Sequence, residues 1–155
     1  MVQPQVAHAN LKALDAAGRP IEGTLRFSPL DDGLAVTGEL RGFEPGASHA
    51  LHVHEVGDCS APDGSSAGGH YAPREHPHGG PDADRHHLGD LGNVTLNERG
   101  ELMVDERMPR ARLDGELGVV GRAVVLHAGP DDLKSQPAGA AGDRIACGVI
   151  HSGAG

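Results

Sequence analysis

The chain has 155 residues, a length that fits one domain able to bury a real core. Its formal net charge of −9 argues against nucleic acid or an anionic membrane as partner, because both need a basic face. With Gly 24, Pro 11, two Phe, one Tyr and no Trp, the composition points to a turn-rich, all-β fold with a core of Val, Leu, Ile and Ala.

No run approaches the roughly 18 consecutive apolar residues of a membrane span, and "MVQPQVAHAN" lacks the basic and apolar regions of a signal peptide. The chain is therefore expected to be cytoplasmic or to have lost a leader. His8 falls in a first short strand. "IEGTLRFSPLDDGLAVTGELRGF" reads as two strands around the turn "PLDDG", with Ile21, Leu25 and Phe27 on one parity and Leu34, Val36 and Leu40 on another. After the turn "EPGAS", which is expected to hold His49 at the surface, "HALHVHEV" is a further strand. "GNVTLNERGELMVDERM" reads as a hairpin about "NERG", Val94 and Leu96 pairing with Leu102 and Val104. "VVGRAVVLHAG" and "RIACGVIHS" complete a set of about eight antiparallel strands, as in a Greek-key barrel or sandwich.

Two stretches, 57–92 and 128–143, read as long loops. Loops beyond about 12 to 15 residues are uncommon in compact domains unless functional or disordered, and the first is rich in histidine. Cys59 and Cys147 lie far apart and form no C-x-x-C pair. They read either as a bridge, stabilising by roughly 4 to 5 kcal/mol in the chain-entropy model, or as two unrelated buried thiols.

Of 11 histidines, His8, His49 and His151 read as surface residues. Six of the others fall into two groups. His52 and His54 are two apart on a strand, so both face one way about 6.6 to 6.8 Å apart at Cα, and His127 ends another strand. Three strand-borne imidazoles suit a partly open copper site. The loop offers His70, His78, His87 and Asp90, a three-nitrogen, one-oxygen set that completes a tetrahedral structural zinc.

In order, "HVHEVGDC", "SAGGH", "HGGP", "HLGDLGN", "HAGPDDL" and "DRIACGVI" closely resemble the copper/zinc superoxide dismutases, from about Leu51 to Ile150. The resemblance implies copper on His52, His54, His70 and His127, and zinc on His70, His78, His87 and Asp90, with His70 bridging the two metals. His76 and His86 compete with His78 and His87, but only the latter pair stand in the family's motifs. It further implies an outer-shell carboxylate at Asp131, a Cys59–Cys147 disulfide, and Arg144 as the arginine that docks the anion. Lys134 is a candidate steering charge.

The implied reaction is disproportionation of superoxide to dioxygen and hydrogen peroxide by copper redox cycling, with His70 passing a proton. A long Cys59–His70 stretch and a short 128–143 loop resemble the bacterial secreted branch, which implies a periplasmic or extracellular location after leader removal. One domain over residues 1–155 and a homodimer are the expected organisation. The competing function is a copper-binding or copper-delivery domain on the same scaffold.

Overall fold

The computed structural model describes residues 6–14, 21–31, 33–42, 48–61, 64–68, 90–95, 101–109, 111–113, 118–127 and 144–153. Among the described residues eight strands follow in chain order: β1 (Ala7–Ala13), β2 (Glu22–Leu30), β3 (Gly33–Arg41), β4 (Ser48–His54), β5 (Asp90–Thr95), β6 (Leu102–Pro109), β7 (Ala123–His127) and β8 (Arg144–Ser152). They form one antiparallel sheet in the order β5-β4-β7-β8-β1-β2-β3-β6. The connections from β3 to β4 and from β6 to β7 each cross the sheet, as a Greek key requires.

Alternation explains the burial. Ala7, Ala9 and Leu11 of β1, Leu25 and Phe27 of β2, and Leu34, Val36 and Leu40 of β3 all point into one core, joined by Leu51, Val53, Leu102, Val104, Val124, Leu126 and Ile150. Phe27 is fully buried, worth roughly 2 to 3 kcal/mol relative to exposure. The expected parity of Ile21, Leu25, Phe27, Leu34, Val36 and Leu40 is therefore observed. The turn between β2 and β3 is tighter than "PLDDG", because Pro29 pairs with Leu34 and Leu30 with Gly33.

Among the described residues, the expected pairing of Val94 with β6 is replaced. β5 pairs with β4, where Val94 faces His49, and β6 pairs with β3, while β5 and β6 meet as the sheet curls round. A sequence reveals where a hairpin turn can form but not which curled edges close on each other. Leu96 and "NERG" lie outside the described residues.

β7 is buried along its whole length. Its odd-numbered residues face away from the main core into a second apolar cluster of Ala67, Ala123, Val125 and Cys147, with Leu14 and Cys59 packed against it. The segment after β4 thus lies across the outer face of β4, β7 and β8.

Candidate metal centre

His52 and His54 stand on the outer face of β4, while Leu51 and Val53 between and beside them fill the main core. An outward strand face would ordinarily be wet, yet these two imidazoles are 0% and 1% exposed, and His127 of β7 is 4% exposed. The ladder pairs His52 with Val125 and His54 with Ala123, which brings all three rings to one patch of the outer face. One ring nitrogen from each lies within 4.8 Å of the other two. Ring centroids are 4.9 Å apart for His52 and His127, 5.6 Å for His54 and His127, and 6.2 Å for His52 and His54.

The cover over this patch is fastened at several points. Val56 donates its backbone N–H to Ala67, closing the segment on itself around a 3₁₀ turn at Ser65–Ala67. Ala61 donates to the Ser66 hydroxyl, which donates in turn to the Asp58 carbonyl. The exposed Asp58 carboxylate is held below its ordinary value by hydrogen bonds from Ser60. Cys59 is disulfide-bonded to Cys147 of β8, so the bridge alternative is the one realised.

Two contacts tie the cover directly to the chemistry-bearing residues. His54 donates Nδ1–H to the Gly68 carbonyl at 2.8 Å. The half-buried Arg144 donates Nη1–H to the Gly64 carbonyl at 2.7 Å. Gly64 has φ +77°, and a Cβ there would lie 3.0 Å from Arg144 Cδ, so the arginine stem packs over a position that only glycine suits.

The structure brings together His52, His54, His127, Arg144, Cys59 and Cys147. His70, His78, His87, Asp131, Lys134, His76 and His86 lie outside the described residues. Asp90 is described in its backbone. It begins β5, inside the stretch expected as loop, and is the register partner of His52.

His49 corrects an expectation. It is not a surface residue in a turn but part of β4, 8% exposed, donating Nδ1–H to the His127 carbonyl at 2.9 Å. The signal was present in the sequence, since His49 shares its parity with Leu51 and Val53 and so belongs to the inward face of the strand.

Residues 21–150 match the family model described as copper/zinc superoxide dismutase. The chain is similar to the Cu-Zn superoxide dismutase of Paramecium bursaria Chlorella virus 1, with 38% identity over 138 residues, 84% of this chain and 73% of that protein. It is also similar in structure to the clock protein EA4, with a TM-score of 0.84 and 37% identity, covering 97% of this chain and 96% of that one.

Proposed function

The chain belongs to the copper/zinc superoxide dismutase family and disproportionates superoxide to dioxygen and hydrogen peroxide with copper and zinc as its metals, and from that premise we propose how its residues divide the work. The convergence of three buried imidazoles within 4.8 Å carries the assignment: His52, His54 and His127 would hold copper, and the family resemblance adds His70 as a fourth ligand.

The donor set suits that ion. Imidazole nitrogen is a preferred ligand of copper. The bond from His54 Nδ1–H to Gly68 fixes the neutral tautomer whose lone pair is on Nε2. Among the described residues, His54 Nε2, His52 Nδ1 and His127 Nε2 are buried atoms to which no hydrogen bond is made. Buried polar atoms normally find a hydrogen-bond partner, and a metal ion satisfies such nitrogens in its place. Bound copper supplies one-electron chemistry between its cupric and cuprous states.

Arg144 is assigned to bind the superoxide anion. Its charge does not titrate in the working range, the Gly64 carbonyl holds its guanidinium, and its backbone is the register partner of His127. His70, which would offer a ring nitrogen to copper, is assigned to carry a proton from solvent to the peroxide product on that nitrogen whenever it is not bound to the metal. Zinc on His70, His78, His87 and Asp90 would set the basicity of that shared ring. The pairing of Asp90 with His52 supports a zinc set beside the copper set. Asp131 is assigned to orient ligand rings through their other nitrogens, as outer-shell carboxylates do.

The disulfide supports an oxidising compartment, periplasmic or extracellular. One continuous sheet supports a single domain over residues 1–155. A homodimer is the proposed assembly, readable by sedimentation.

Copper spin-resonance spectra of the zinc-loaded protein test the ligand assignment. Nitrogen hyperfine structure that is altered in each of His52→Ala, His54→Ala and His127→Ala is expected. A spectrum unchanged in any of the three would remove that residue from the set.

A further inference from the structure

A second histidine pair lies on the opposite edge of β8. His8 of β1 and His151 of β8 are direct partners in the antiparallel ladder. Their neighbours Ala7, Ala9 and Ile150 point into the core, so both imidazoles belong to the outer face. Side chains directly opposite each other in such a ladder have Cβ atoms about 4.5 to 5.5 Å apart, close enough to share a ligand. The ring centroids are 6.0 Å apart, within the 4.9 to 6.2 Å range spanned by the three rings of the metal centre.

One ring is already oriented. His8 Nδ1 is hydrogen-bonded to the Gly153 carbonyl at 2.8 Å, which makes Nδ1 the protonated nitrogen and leaves the lone pair on Nε2. His54 on Gly68 has the same arrangement inside the buried centre. Gly153 is itself anchored by its N–H to the Val6 carbonyl at 2.7 Å, and its φ of +99° curls the chain back over the end of β1. His151 is exposed and can rotate towards a shared ion.

We infer that His8 and His151 form a second metal site, on the surface, for a divalent transition ion of the imidazole-preferring kind, copper(II) foremost. Affinity at nitrogen sites peaks at copper in the divalent first-row series, and two imidazoles without carboxylate disfavour magnesium or calcium. Water fills the remaining positions. The net charge of −9 draws cations to the protein. Arg26, the register partner of His8 on β2, opposes the bound charge and limits the affinity.

Copper(II) added to the copper- and zinc-loaded protein, followed by equilibrium dialysis and spin resonance, tests this. One further equivalent with a two-nitrogen signature is expected. His8→Ala and His151→Ala should each weaken it by at least about tenfold, the scale on which losing even an outer-shell partner weakens a metal site. Arg26→Ser should tighten it, and all three variants should keep the parent dismutation rate. No additional equivalent, or additional copper held equally well by His8→Ala and His151→Ala, would overturn the site whatever the buried centre does.

Discussion

Arg144 is the register partner of His127 across the β7–β8 ladder, and a bulge separates that pair from the Leu126–Ala146 pair beside it. The bulge inserts Ile145, so Ile145 and Ala146 both turn into the main core while Cys147 faces the outer cluster. Strict alternation from Cys147 would have turned Arg144 inward, because one residue of slip exchanges the two faces of a strand. The extra residue instead delivers a guanidinium to the face that carries the imidazoles.

Replacing that guanidinium isolates its contribution. Arg144→Ala should keep copper and zinc contents while lowering the dismutation rate by about tenfold or more, within the 10- to 1000-fold range of local charge focusing. The parent rate should fall with salt and the variant's should depend on it less. Equal salt slopes in pulse radiolysis would contradict a steering role.

Gly64 acts through Arg144. In Gly64→Ala the new Cβ meets Arg144 Cδ at 3.0 Å and Leu14 Cδ1 at 2.9 Å, at a backbone φ of +77°. Adopting that left-handed conformation costs an ordinary residue roughly 1 to 2 kcal/mol. The variant should melt lower and turn over more slowly, and in an Arg144→Ala background its effect on rate should vanish. Additive losses in the double variant would show that Gly64 acts elsewhere.

The disulfide closes a separation of 88 residues that contains Gly64, Gly68 and the proposed zinc ligands. Chain entropy assigns such a closure about 4 to 5 kcal/mol. Cys59→Ser with Cys147→Ser should therefore lower the melting temperature and weaken copper retention, since the cover supplies the carbonyls that orient His54 and Arg144. An unchanged melting curve would contradict it.

His49 supports the centre without belonging to it. His49→Leu removes the N–H bound to the His127 carbonyl. Copper stoichiometry should hold while affinity falls by about 10- to 100-fold, as for loss of an outer-shell partner. A loss of stoichiometry like that of His127→Ala would make His49 a ligand instead.

Much of this was legible because alternation is a strong code. His52 and His54 had to share a face, and Leu25, Phe27, Leu34 and Val36 had to share a core. His49 was misplaced because "EPGAS" reads as a turn that extends one residue too far, whereas tertiary pairing with Val94 draws it into β4. Sequence alternation could not reveal the bulge at Ile145, since bulges depend on partner strands. Nor could it show that an outward face would be dry, because that depends on Ala67, Cys59 and Leu14 packing over Ala123 and Val125.

The most direct test is the superoxide dismutation rate of the copper- and zinc-loaded protein by pulse radiolysis, beside His54→Ala loaded in the same way. A second-order rate constant near the diffusional ceiling of about 10⁸ to 10⁹ M⁻¹s⁻¹ in the parent, and a loss of at least about a hundredfold in the variant, is the predicted result. A negligible rate in the parent with both metals bound would contradict the enzymatic account and leave a copper-binding protein on the same scaffold.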